Sequence, residues 1–180
     1  MLKLTMMAVL VALIVPVAAL ADGTPTTAST ANQICKQAKT SMGAALFAQT
    51  YGTNASKSNA FGKCVAKNSA AAQQDVSNAA KTCKAEQADA NFAASHGGKT
   101  FTQFYGTNVS KGKGTVANAF GKCVSQSASA SADAQAKTAT GAAKSCKAAL
   151  KASATDFAKS YGSGHNAFGK CVAAASKPTK

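Results

Sequence analysis

The sequence predicts an all-α protein: three disulfide-stapled helical repeats joined by Ala-rich helical connectors. Three observations support this prediction, namely a seven-residue motif that occurs three times, two cysteines in each surrounding unit, and long alanine-rich stretches without proline. Alanine has the highest helix propensity of the amino acids. No stretch alternates polar and apolar residues with the period of a β-strand.

The repeated motif is NAFGKCV, at 59–65, 118–124 and 166–172. Each copy follows a Phe and a Tyr four residues apart, which share one helix face. The glycine after the tyrosine suits the left-handed residue that ends a helix, and the motif's asparagine suits the N-cap of the next one. The predicted core of the repeats therefore consists of Phe47, Tyr51, Phe61, Val65, Phe101, Tyr105, Phe120, Val124, Phe157, Tyr161, Phe168 and Val172.

The motif also carries a glycine and a lysine in every copy. Glycine inside a helix costs about 1 kcal/mol relative to alanine, so its recurrence at 62, 121 and 169 predicts close approach to a neighbouring helix. The lysines are Lys63, Lys122 and Lys170. A solvated position along the helix surface is one interpretation of them, and contact with a polyanion is the other.

These spacings divide the chain into six segments. A signal peptide is predicted at 1–21, a flexible linker at 22–33 and a tail at 177–180. The helical repeats are predicted at 34–76, 77–135 and 136–176, and the second contains an inserted loop at 95–100. Residues 63–96 contain neither glycine nor proline, which favours one long helix from the first repeat into the second.

Six cysteines in a secreted chain predict three disulfides. The repeat favours pairing within each unit, as Cys35–Cys64, Cys83–Cys123 and Cys146–Cys171. Cys64 and Cys83 would lie nearly 30 Å apart on one helix at about 1.5 Å per residue, beyond the reach of a disulfide. Each closed loop would stabilise the fold by roughly 3.5–4 kcal/mol in the chain-entropy model.

The N-terminus predicts secretion. Lys3, an apolar run from about Met6 to Val17 and the Ala19–Ala21 cleavage signal together form a signal peptide. Its removal lowers the net charge from +14 to +13, because one lysine is lost. After Ala21 only 17 of 159 residues are Leu, Ile, Val or Phe, so the fold depends heavily on its disulfides. We expect an extracellular or cell-envelope protein without a membrane span after cleavage.

Residues typical of catalysis and metal binding are scarce. The chain has no CxxC pair and only two histidines, His96 and His165, in unrelated segments. Its six carboxylates do not recur with the repeat, and hydrolase, P-loop and dinucleotide motifs are missing. We therefore expect no enzymatic activity, no metal site and no cofactor. Asn54 and Asn108 begin glycosylation triplets, which matter only in a eukaryotic source.

The stretch from Phe47 to Asn54, of the form FxxxYGTN, and the three NAFGKCV motifs resemble a group of uncharacterised secreted, Ala-rich repeat proteins of actinobacteria. The similarity covers roughly residues 35–172 and implies a secreted bacterial helical protein. It implies no activity and transfers no functional residue. We expect arginine in that group, whereas all 20 basic residues of this chain are lysine.

Four function classes remain. The first is a non-enzymatic cell-surface binding or structural protein whose lysines attract acidic wall polymer or extracellular nucleic acid without sequence specificity. Lysine lacks the bidentate fork with which arginine recognises guanine. An ice-associated or surface-active protein is the alternative, followed by a cationic antimicrobial factor and a secreted enzyme. The charge also has a simpler interpretation, as a means of keeping the protein soluble.

Overall fold

The computed structural model describes residues 24–106 and 118–177, which form eight α-helices and no β-strand. The helices are α1 (Thr27–Met42), α2 (Ala44–Tyr51), α3 (Ala60–Ala88), α4 (Phe92–Ser95), α5 (Phe101–Tyr105), α6 (Ala119–Ala152), α7 (Ala154–Tyr161) and α8 (Ala167–Ala175). The predicted all-α class is confirmed. None of the helices in the described ranges is long and apolar enough to cross a membrane.

Three long helices, α1, α3 and α6, pack against one another as a bundle. Helix α3 runs 29 residues from the first sequence unit into the second, and α6 runs 34 residues from the second into the third. Asp75 contacts Gln135, and further along α3 Cys83 contacts Ser127, so the two helices are antiparallel. The chain therefore returns on itself. Units 1 and 3 (34–76 and 136–176) lie at one end of the bundle and unit 2 (77–135) lies at the other.

The middle of the bundle is packed with small side chains. Ala31, Ala72 and Ala132 are fully buried there together with Ile34. Alanine allows helix axes to approach closely, and the dense packing replaces the contacts that larger side chains would supply. Larger aromatic clusters occupy the two ends of the bundle.

All three predicted disulfide pairings are confirmed. Cys35 pairs with Cys64, Cys83 with Cys123 and Cys146 with Cys171. The sulfurs are buried within the end clusters. Each disulfide thus joins the helix that begins with NAFGKCV to an earlier helix of the same unit.

The predicted repeat core lies inside the protein, but to different depths. Phe47, Tyr51, Phe101, Tyr105, Val124, Phe157, Phe168 and Val172 are buried, whereas Phe61, Val65, Phe120 and Tyr161 are partly buried. The pattern missed Phe92, which is 3 % exposed and lies at the centre of the unit 2 cluster.

The prediction of a flexible linker at 22–33 is wrong from Thr27 onward, because α1 begins there. Thr26 caps this helix by accepting a hydrogen bond from the Ser29 N–H at 3.1 Å. Thr30 and Ala31 are buried against the bundle, and this contact stabilises a helix that their composition alone did not indicate. The predicted signal peptide lies outside the described residues.

The predictions about the helix ends are confirmed only in part. Gly52 and Gly106 have φ angles of −69° and −73°, and of the three glycines only Gly162, at 88°, has a positive φ. Gly52 is needed for space instead, since a β-carbon there would lie 2.7 Å from that of Lys57. The motif asparagines occupy the N-cap positions, as predicted, but make no side-chain capping bonds. The amide of Asn59 instead pairs with Thr53, whose N–H donates to Asn59 Oδ1 at 3.0 Å.

The close approach predicted for the motif glycines differs between copies. A β-carbon on Gly169 would lie 2.6 Å from the Thr50 carbonyl oxygen, whereas one on Gly62 would meet nothing within 4 Å. The predicted inserted loop at 95–100 contains the turn between α4 and α5, where Gly97 and Gly98 have positive φ angles.

Candidate functional site

Units 1 and 3 form a joint surface at their shared end of the bundle. The close contact between Thr50 and Gly169 brings α2 against α8. Lys57, in the loop after α2, donates a hydrogen bond from its ammonium group to the Gly52 carbonyl at 3.0 Å and another to the carbonyl of His165. The loops of the two units are therefore held together by one lysine, whose own backbone is left-handed at a φ of 59°.

Next to this junction lies a groove, which we call the inter-unit groove. It consists of two adjoining depressions of about 430 and 830 Å³, which share Tyr51, Lys67 and Ala173. The smaller lies between the start of α3 and α8, and the larger extends towards α6 and the end of α8. The polar side chains of the two depressions are Thr50, Tyr51, Thr53, Lys63, Lys67, Asn68, Gln135, Thr138, Asn166, Lys170, Ser176 and Lys177.

The charges of the groove all have one sign. Lys63, Lys67, Lys170 and Lys177 line it, and none of its described lining residues is a carboxylate. Asp75 lies just beyond, where it accepts a hydrogen bond from Gln135 Nε2 at 2.6 Å. Burial raises the pKa of Asp75 and the Gln135 hydrogen bond opposes that rise. The groove therefore favours anions, because concave walls of one charge concentrate the electrostatic potential.

Tyr51 and Lys67 line both depressions. The Lys67 ammonium lies 5.9 Å from the centroid of the Tyr51 ring, a cation–π distance. Partial burial lowers the pKa of Lys67. Burial raises the pKa of the Tyr51 phenol, although its hydrogen bond with Asn68 opposes that rise.

The structure brings together two of the three predicted lysines and separates the third. Lys63 and Lys170 line the same depression. Lys122 lies in the first turn of α6, 12 residues or about 18 Å along the helix from Ala134, the first α6 residue that lines the groove. Lys122 therefore does not belong to the groove.

Sequence reasoning missed Lys67 and Lys177. Lys67 had a usable signal, because it lies four residues after Lys63 and thus on the same face of α3. Lys177 lies beyond the end of α8, and its place in the groove depends on how that helix packs against α6. No period in the sequence indicates such a position.

The histidines and acidic residues form no comparable cluster. His96 stacks on Phe92 at 3.8 Å between ring centroids, and its Nδ1 lies 2.8 Å from the Phe92 carbonyl oxygen. His165 is exposed in the loop before α8. Within the described ranges, no three His, Cys, Asp or Glu side chains are grouped as metal ligands.

Glu86 of α3 takes part in a hydrogen bond between two helices of unit 2. It accepts a hydrogen bond from the Tyr105 hydroxyl at 2.8 Å. Burial, and then the hydrogen bond and negative charge of Glu86, raise the pKa of Tyr105 to about 12. The pair thus links α3 to α5 inside the unit 2 cluster.

The comparisons with known proteins give no relative. No family model, no curated protein and no solved structure matches the chain.

Proposed function

We propose that this protein is a secreted, non-enzymatic binding protein of the cell surface, which holds acidic polymers in the inter-unit groove. One observation carries the proposal: two sequence units that lie far apart in the chain place four lysines along one concave surface without a lining carboxylate. Such a surface attracts anions through its summed field.

The groove suits a polymer better than a single small anion. Lys63 and Lys67 are one helical turn apart on α3, and Lys170 faces the same depression from α8. A single exposed ion pair contributes only about 0–1 kcal/mol. A chain with many charges meets several lysines at once, and the linked contacts raise the overall affinity.

The disulfides keep this arrangement in place. Cys35–Cys64 fixes the start of α3 and Cys146–Cys171 fixes α8, so both lysine-bearing walls are cross-linked to α1 and α6. A rigid site loses less conformational entropy when its ligand binds. The disulfides that stabilise a protein with a small core therefore also preorganise the groove.

The test compares two triple variants with the same loss of charge. One replaces groove lysines (K63Q, K67Q and K170Q), and the matched control replaces lysines outside it (K81Q, K122Q and K147Q). Binding to long-chain inorganic polyphosphate and to purified bacterial cell walls is measured by sedimentation at several salt concentrations. We expect the groove variant to bind at least tenfold more weakly than the control, with a flatter dependence on salt.

Equal losses in the two variants would contradict the groove as the binding site, since net charge alone would explain the binding. If the unmodified protein binds neither polyphosphate nor cell walls at low salt, the proposed function itself is wrong. Circular dichroism of both variants checks that the helices are retained.

A further inference from the structure

We propose, on the basis of the function above, that the ligand of the inter-unit groove is a base-free polyanion chain and that nucleobases contribute nothing to its binding. The shared chemistry is a linear backbone with phosphate or carboxylate groups. Nucleic acid would then bind only through its backbone.

The first argument is that the groove offers no surface on which a base stacks. Proteins that bind single strands use exposed aromatic rings as platforms. Tyr51 is the aromatic residue among the described lining residues, and it is only 7 % exposed. Its ring is also approached by the ammonium of Lys67. Among the described residues, the exposed large apolar side chain is Phe104, which is 45 % exposed but belongs to unit 2.

The second argument is that two side-chain amides of the groove already have partners. Asn68 Nδ2 donates to the Cys64 carbonyl at 2.9 Å. Gln135 Nε2 donates to Asp75 Oδ2 at 2.6 Å. Asparagine and glutamine recognise adenine through such amides, and arginine recognises guanine, but the chain contains no arginine. Among the described lining residues, the charged side chains are all lysines, whose ammonium groups bind anions as point charges.

The third argument concerns the spread of the charges. Lys63 and Lys170 line the smaller depression, Lys177 lines the larger one, and Lys67 lines both. A chain with one charge in each repeating unit can contact several of these lysines at once, and the linked contacts raise its affinity.

The decisive comparison uses two strands that differ only in their bases. Oligo-dT and an abasic deoxyribose-phosphate oligomer of the same length are titrated into the oxidised protein, and fluorescence anisotropy of an end label reports binding. We expect the two affinities to agree within threefold, and both to fall together in the K63Q/K67Q/K170Q variant. An abasic strand that binds more than threefold more weakly would overturn the inference, because bases would then contribute to affinity.

A third probe, poly(L-glutamate) of matched charge number, identifies the anionic group. Tighter binding of the abasic strand points to a phosphate polymer, and tighter binding of polyglutamate points to a carboxylate polymer; each outcome supports a base-free ligand. If none of the three probes binds at low salt, the proposed function fails as a whole. That result differs from a base-dependent affinity, which contradicts the present inference alone.

Discussion

A β-carbon placed on Gly169 would lie 2.6 Å from the carbonyl oxygen of Thr50, closer than real β-carbons come to backbone atoms. The contact joins α8 to the end of α2 and so brings unit 3 against unit 1. Gly62 occupies the same position of the NAFGKCV motif, yet nothing lies within 4 Å of its virtual β-carbon. One glycine of the motif is thus needed for packing and its counterpart is not.

This difference predicts opposite effects for the same substitution. Gly169→Ala should destabilise the protein by about 1–3 kcal/mol, because the backbone of α2 or α8 must shift to make room. Gly62→Ala should stabilise it by up to about 1 kcal/mol through helix propensity. Urea unfolding of both variants, followed by circular dichroism, measures the two free energies. Equal effects of the two substitutions would show that the contact between α2 and α8 does not form in solution.

The lowered pKa of Lys67 predicts how binding depends on pH. A bound anion favours the ammonium form, so the contribution of Lys67 is present below its pKa and disappears as the pH rises through it. Polyphosphate affinity should therefore begin to fall at a lower pH than the titration of ordinary exposed lysines predicts. In K67M this early decline should disappear, because the side chain with the lowered pKa has been removed. Titrations from about pH 7 to about pH 11 cover this range, and coinciding curves for K67M and the unmodified protein would contradict the assignment.

The raised pKa of Tyr105 predicts that the protein becomes less stable at alkaline pH. Its pKa is about 12 in the folded protein against 10.0 ordinarily, so the fold favours the protonated phenol. This stabilisation is fully present below pH 10 and is lost as the pH rises through about 12. Y105F should be less stable than the unmodified protein at neutral pH by about 1 kcal/mol, the value of a typical hydrogen bond. The difference should shrink towards pH 12, and a constant difference across the alkaline range would argue against the hydrogen bond to Glu86.

The disulfide of unit 3 should affect both stability and binding. Replacing Cys146 and Cys171 by serine opens a loop of 25 residues, which the chain-entropy model values at roughly 3.5 kcal/mol. Because α8 forms one wall of the inter-unit groove, polyphosphate binding should weaken as well. Removing Cys83–Cys123 should cost about 4 kcal/mol but leave the affinity of the folded fraction unchanged. Calorimetry combined with titration at low temperature separates the two effects, and an equal loss of affinity in both variants would be the contrary result.

Much of the fold was accessible from the sequence because it depends on local patterns and on cysteine. The motif at 59–65 and the absence of glycine and proline after it predicted α3, and the position of the cysteines within each unit predicted the disulfides. In the alanine-rich helices, the sequence did not predict which face is buried. Ala72 is fully buried, whereas Ala66 and Ala70 on the same helix are exposed, and the residue type alone does not reveal which face is covered.

The return of the chain on itself was not predictable for the same reason. Nothing about Ala132 or Ala31 marks them as neighbours of Ala72, so the sequence indicated three units in series and not units 1 and 3 side by side. The groove exists only because of that arrangement. Lys63 and Lys170 were therefore identified one by one, and their shared site emerged from the tertiary structure.

Because α3 and α6 run antiparallel, the two ends of the protein carry different surfaces. Its lysine groove lies between units 1 and 3 and extends along α6 as far as Ala134, whereas the unit 2 aromatic cluster packs around Cys123, 11 residues or about 17 Å further along that helix. Phe104, which is 45 % exposed, is not among the groove residues. A polymer held in the proposed groove would therefore leave this apolar side chain uncovered at the unit 2 end of the molecule.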